Sequence, residues 1–206
     1  MGVKNLYYEL TSAYSLVDAK VQDAAWELIQ RCYTSKFRYY HNFEHIESIL
    51  AHLAPFWKDI SAQEDIQLAT IYHDVAYDPV ATDNEEQSAA LARENLLALN
   101  FPCERIDRIS AQILATKDHR GSQQADVNFL LDADLAILGQ SPSKYDWYCQ
   151  QIRLEYAMFT EPVYRAGRRR VLQNFLDCEW IYYTSHFRDK YERQAKTNIA
   201  REIRSL

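Results

Sequence analysis

The residues with the most chemistry in them sit in Leu68-Ala69-Thr70-Ile71-Tyr72-His73-Asp74-Val75-Ala76-Tyr77. Leu68, Ile71, Tyr72 and Val75 recur at helical spacing, which predicts a buried helix face. His73 and Asp74 interrupt that face near its end. A carboxylate left without a partner there would cost on the order of several kcal/mol. A divalent cation removes that cost, and adjacent imidazole and carboxylate are ligands that manganese, iron, zinc or nickel accepts. The competing reading is a helix C-terminus whose histidine meets the last carbonyls while the aspartate faces water.

Two other stretches carry the same kinds of group. Tyr40-His41-Asn42-Phe43-Glu44-His45 places two histidines at i and i+4. If a helix begins by His41, both project from one side; otherwise His41 hangs on the entering loop beside His45. In Leu130-Leu131-Asp132-Ala133-Asp134-Leu135, two aspartates interrupt an apolar run and need partners. One suits the cap of a neighbouring helix and the other suits a metal as a hard oxygen ligand.

The elements that must position these groups read as helices throughout. Leu6, Leu10, Tyr14 and Val17 form one apolar stripe, and Val21, Ala24, Ala25, Leu28, Ile29 and Cys32 form a second, with Asp18 as a candidate cap. A helix from His41 or Phe43 to about Trp57 turns Ile46, Ile49, Leu50 and Leu53 inward. Ser61-Ala62-Gln63-Glu64 has the form of a capping box, so the His73-Asp74 helix is expected to start at about Ala62 and to stop at Asp78-Pro79.

Thr82-Asp83-Asn84-Glu85 offers the next cap, for a helix to about Leu99. Pro102 opens another that buries Ile106, Ile109, Ile113 and Leu114. After a loop over 118–124 comes the apolar run from Val127 to Leu138. Ser141-Pro142 and Thr160-Glu161-Pro162 then give start signals for two more helices, the second holding Val171, Leu172 and Phe175. A last helix is expected from about Trp180 to Ile203. No alternating strand pattern and no internal repeat stands out.

Composition agrees with this class. The 206 residues are 48% hydrophobic and 25% charged, enough to build a core, and only 4 glycines and 5 prolines punctuate them. No Pro-, Gly- or Ser-rich linker divides the chain, so one domain is expected. The net charge of −6 gives no bulk attraction to nucleic acid or anionic lipid, and neither is expected as a partner. No apolar run reaches bilayer length, and the N-terminal residues lack a signal-peptide core. Gly2 fails the myristoylation pattern because Leu6 stands where Ser or Thr is needed. Cys32, Cys103, Cys149 and Cys178 are widely spaced and read as reduced thiols in a cytoplasmic protein.

The ordered set His45, His73, Asp74 and Asp134, carried on helices, resembles the HD-domain superfamily of metal-dependent phosphohydrolases over most of Phe37 to Leu138. Tyr40-His41-Asn42-x-x-His45 is similar to the Tyr-His-Asn-x-x-His signature of cyclic-nucleotide phosphodiesterases, which share that fold. The chain as a whole, through Arg153 to Glu155 and on to Gly167-Arg168, is also similar to a bacterial group of predicted HD-superfamily phosphohydrolases.

The resemblance implies an all-α, HD-domain-like helical bundle with a phosphodiesterase-like core. It would span 1–206 as one domain, with the C-terminal helices of 142–206 packed on that core. It implies a divalent metal (Mn, Fe, Zn, Ni or Mg) held by His45, His73, Asp74 and Asp134, with about two coordination positions left open on an octahedral ion. His41 is then the general acid. Glu85 and Glu86 are candidates to hold or activate water, against a competing role in a helix cap. His119 is a further active-site candidate, against an exposed loop histidine.

Val75-Ala76-Tyr77-Asp78 lacks the histidines that support a second metal in many phosphodiesterases, so a permanent second ion is not expected. Arg38, Lys117 and Arg153 are cations that would suit a phosphate. Arg168-Arg169-Arg170 is expected to be a solvated helix face with one or two salt bridges, and His52 a structural residue. The expected activity is hydrolysis of a phosphate ester or anhydride in a small, nucleotide-like substrate. The alternatives are a non-catalytic HD module that binds metal and nucleotide, and a helical interaction protein with structural histidines.

Overall fold

The computed structural model describes residues 2–13 and 19–206. Among them are ten α-helices and no strand: α1 (Val3–Ser12), α2 (Ala19–Tyr33), α3 (Phe43–Leu53), α4 (Gln63–Tyr72), α5 (Asn84–Ala98), α6 (Cys103–Ala115), α7 (Ala125–Asp134), α8 (Pro142–Glu155), α9 (Glu161–Asp177) and α10 (Ser185–Ser205). Short 3-10 turns follow α3 (Ala54–Asp59) and α7 (Leu135–Gly139). The protein is therefore all-helical. No described helix is long and apolar enough to cross a membrane.

The centre of the bundle is α4. Ile66, Leu68, Ala69, Thr70, Ile71 and Tyr72 are all buried, so this helix is surrounded rather than amphipathic. It packs against α1, α3, α5, α6 and α7. Asp65, in its first turn, is clasped by Arg105 and Arg108 of α6, which fixes the two helices against each other. One continuous core runs from Val3 in α1 to Ile199 in α10, and it includes Tyr145 of α8, Leu172 of α9 and Phe187 of α10. Helix α10 lies across the 135–139 turn. A Cβ on Gly139 would come 2.5 Å from Tyr191 Cβ, so only glycine permits that approach.

Several local expectations are corrected. Ser61 does not cap α4; the Asp126 carboxylate accepts from the N–H groups of Ser61 and Ala62, so α7 supplies the cap from across the fold. The helix carrying His73 ends at Tyr72, six residues before Asp78. Leu114, Ala24 and Val171 are exposed rather than buried, because each lies just off the inward stripe of its helix. Residues 180–184 are not helical: N–H groups of Ile181 and Tyr182 donate to Glu192, and those of Tyr183 and Thr184 to Asp132, before α10 begins.

Arg168 is not solvated either. It is buried against Glu202 and Tyr148, while Arg169 and Arg170 stay exposed. In the first stripe the inward residues are Val3, Tyr7, Leu10 and Thr11, and in the second they include Gln22 and Trp26. Tyr14, Val17 and the Asp18 cap lie outside the described residues.

Candidate metal centre and its cleft

Three helix ends meet where α4 stops. The C-terminal ends of α4 and α7 converge there, and that end of a helix favours a cation. The first turn of α3 lies beside them. Its start is set by Asn42, whose side-chain oxygen accepts from the Glu44 N–H at 2.9 Å. His41 is thus on the entering loop and His45 on the helix, their rings edge to face with centroids 5.7 Å apart.

His45, His73 and Asp74 each offer one ligand atom, and these atoms lie within 4.8 Å of one another. Asp134 joins them: its Oδ1 is 3.0 Å from His45 Nε2 and 3.8 Å from His73 Nε2. Asp74 Oδ2 lies 3.0 Å from His73 Nε2 and 3.7 Å from His45 Nε2. The four residues named from sequence as ligands are therefore brought to one place.

The state of the imidazoles tests whether they fit a metal. His73 Nδ1–H donates to the Thr70 carbonyl at 2.8 Å, which turns Nε2 toward the cluster. Both His73 Nε2 and His45 Nε2 are buried with no hydrogen-bond partner. Buried polar atoms rarely go unpaired, and these two, each 3.0 Å from a carboxylate oxygen, belong to a group whose spacing could hold a cation. The donor set of two imidazoles and two carboxylates suits manganese, iron, zinc or nickel better than magnesium.

Electrostatics bind the cluster together. Burial opposes charge on His73, but Asp74 and Asp134 outweigh it and raise the imidazole to about 9. Burial likewise opposes charge on the aspartates, yet His73 holds Asp74, and His119 with His45 holds Asp134, below the ordinary carboxylate range.

His119 sits after α6 with φ of 47°, left-handed backbone that is uncommon for a residue with a side chain. Its Nε2 meets Asp134 Oδ2 at 2.8 Å, and its carbonyl accepts from Tyr183 OH at 2.7 Å. Those two contacts hold the strained backbone in place beside the cluster.

A cleft of about 400 Å³ opens from the cluster. His41, His73, Asp74, Asp134 and His119 line it. So do Tyr77, whose ring stacks on His41 at 4.3 Å, and Tyr156, Thr82, Asn84, Glu85, Lys117 and Asp118. Glu85 therefore faces the cleft. Glu86 does not: it is exposed and paired with Lys117 Nζ, which also donates to the Thr82 carbonyl at 2.8 Å.

Two of the three cations expected to meet phosphate are committed elsewhere. Arg38 donates to the carbonyls of His41, Asp74 and Val75 and is flanked by the rings of Tyr33 and Tyr77. It clamps the backbone behind the ligands. Arg153 is spent on Glu161, on the Tyr156 and Phe159 carbonyls, and on the Tyr164 ring. Neither lines the cleft.

The residue that sequence reasoning did not single out is Glu155. It is buried in the last turn of α8, where the helix dipole disfavours a carboxylate; that misplacement is the one signal in the sequence. Its Oε1 accepts from the N–H groups of Tyr39, Tyr40 and His41 at 2.9, 2.7 and 2.9 Å. Its Oε2 faces His41 Nδ1 at 2.6 Å and accepts from Tyr77 OH at 2.8 Å. Burial opposes its charge, but His41 and these donors hold its carboxyl down at about 2. His41 in turn is raised, Glu155 and then Asp74 overcoming the effect of burial.

Asp132 takes the capping role expected of one of the two aspartates, while Asp134 lies beside His45 and His73. Asp132 accepts from the N–H groups of Tyr183 and Thr184 and from Thr184 Oγ1, each at 2.7 Å, at the threshold of α10. Comparison of the chain with protein-family models, with curated proteins and with solved structures finds no match.

Proposed function

We propose that this chain is a metal-dependent phosphohydrolase of HD-domain type, acting on a phosphate ester or anhydride in a small, nucleotide-like substrate. One observation carries the reading most: two buried imidazole Nε2 atoms without hydrogen-bond partners face Asp74 and Asp134, which line an open cleft.

His45, His73, Asp74 and Asp134 would hold the ion. A bound divalent metal supplies Lewis acidity, making water a better nucleophile and screening charge on a phosphoryl oxygen. The chain's own groups do the rest. Glu155 fixes the His41 ring through Nδ1, so Nε2 is the atom left to give a proton to a departing oxygen. The same carboxylate favours the protonated ring, which keeps an acid available near neutral pH. His119, tethered to Asp134, holds that ligand's second oxygen in position. Glu85 is the cleft carboxylate available to accept a proton from water, whereas Glu86 is withdrawn by Lys117.

The test is elemental analysis of protein purified without added metal, followed by a phosphatase and phosphodiesterase panel with manganese present. Metal near one equivalent with turnover on at least one phosphate ester supports the reading. Protein that takes up no metal, or metal-replete protein inert on mono-, di-, tri- and cyclic nucleotides, rejects it. Binding of metal and nucleotide without turnover would instead mark a non-catalytic module.

A further inference from the structure

The cleft is short of positive charge where a polyphosphate would need it. No arginine lines it, among the described residues, because Arg38 and Arg153 face elsewhere. Its one ammonium, Lys117, is shared between Glu86 and the Thr82 carbonyl. Beyond the metal ligands, two carboxylates face the space: Glu85 and Asp118. Among the described residues neither has an ion-pair or hydrogen-bond partner in contact, and both lie within electrostatic reach of Lys117. The Asn84 amide is already used on the backbone N–H and carbonyl of Asp78, so it offers a ligand little. What the cleft presents beyond the candidate ligands is therefore mainly acceptors, together with the aromatic side chains of Tyr77 and Tyr156.

Charge decides what fits such a surface. A second and third phosphate would bring several negative charges against Glu85 and Asp118, with one neutralised ammonium to meet them. Like charges juxtaposed in a binding site weaken binding strongly. Hydroxyl or amino groups would instead find acceptors there, over aromatic surface.

The geometry points to a substrate bearing a single phosphoryl group, a monoester or diester, on a hydroxyl- or amine-bearing moiety such as a nucleoside or sugar. Di- and triphosphates are disfavoured, and Glu85 is the specificity-determining residue. This rests on the phosphohydrolase reading for the placement of the phosphoryl group beside His45, His73, Asp74 and Asp134.

Binding and turnover are measured on the full chain loaded with excess manganese, using adenosine 5′-monophosphate, its 3′,5′-cyclic form and the 5′-triphosphate. Calorimetry is expected to rank the better of the two single-phosphate ligands about tenfold or more above the triphosphate, the equivalent of about 1.4 kcal/mol. Any kcat/KM values are expected to follow the same order. Glu85→Lys should narrow or reverse the gap, while Glu85→Gln narrows it less.

Triphosphate bound as well as or better than both single-phosphate ligands overturns the inference, as does a ranking unmoved by Glu85→Lys. Single-phosphate ligands bound in the expected order without any hydrolysis leave the inference standing and remove the catalytic reading. Efficient hydrolysis with triphosphate preferred does the reverse. Failure to bind any of the three overturns both.

Discussion

His41 Nδ1 and Glu155 Oε2 are 2.6 Å apart, although 114 residues separate them in the chain. The same carboxylate receives three successive backbone N–H groups of the loop that carries His41. One side chain thus sets both the path of the loop and the state of its histidine. Glu155→Gln keeps an acceptor for the loop but removes the charge that holds the imidazole proton. The His41 pKa, followed by NMR, should fall in this variant, and the alkaline limb of any pH–rate profile should move to lower pH with it. Glu155→Ala orphans several buried donors at about 1–3 kcal/mol each and should unfold at clearly lower denaturant.

His73 is expected to enter the metal site by losing a proton. Raised to about 9 without metal, it is protonated at neutral pH, and a ligand must be neutral. Metal uptake at pH 7 should therefore release a proton, seen as a dependence of calorimetric heat on the buffer's ionisation enthalpy. His73→Ala and Asp74→Ala should bring bound metal close to zero. Their melting temperatures should also stop responding to chelator, whereas the native chain should lose about 3 kcal/mol when a metal at 100 times Kd is withdrawn.

Asp132 and Asp134 are two residues apart and should fail differently. Asp132→Ala strips acceptors from two N–H groups and one hydroxyl at the start of α10, at a cost of roughly 2–4 kcal/mol with metal content retained. Asp134→Ala should lower metal content first and stability less. Urea melts paired with elemental analysis separate the two.

Arg38 lies behind the ligands, so its loss should show in metal affinity before substrate affinity. Its guanidinium holds the carbonyls of Asp74 and Val75. Arg38→Lys cannot span both, and manganese affinity should drop about 10- to 100-fold, the usual consequence of disturbing a ligand's support. An unchanged metal Kd with a raised KM for phosphate would return Arg38 to the role of a substrate contact.

His52 gives the fold a sensitivity to acid. Burial, then Lys190 and Lys144, depress its pKa to about 4, below the unfolded value near 6.5. The unfolded chain therefore binds a proton in that interval that the folded chain refuses. Stability should fall as pH drops from about 6.5 to 4, by at most about 1 kcal/mol per unit and less where solvent screens the ring. Denaturant melts across this range should show a shallower decline for His52→Gln than for the native chain.

How much of this was legible follows from distance along the chain. The helical class, most helix positions and the cap-then-proline starts at Ser141 and Thr160 are local, and periodicity with terminal residues specified them to within a turn. The four candidate ligands could be named because His45, His73, Asp74 and Asp134 follow the order that resembles the HD-domain superfamily; the apolar surroundings of His73, Asp74 and Asp134 only marked them as groups in need of partners. The roles of the cations could not, since an arginine's partners depend on which carbonyls are within reach. Arg38 and Arg153 found theirs in turns on either side of the site.

What the amino-acid sequence determined by itself, then, is a set of helices and a demand: polar groups at His45, His73, Asp74 and Asp134, set among apolar residues, that need partners. Only the tertiary structure decided how that demand is met. Bringing the ends of α4 and α7 beside the start of α3 placed two imidazole Nε2 atoms and two carboxylates within a few ångströms of one another. It also set Glu155 under His41 and swung Glu86 away while leaving Glu85 in the cleft. Helix formation depends on neighbours a turn away, whereas a site depends on which helix ends the core drives together.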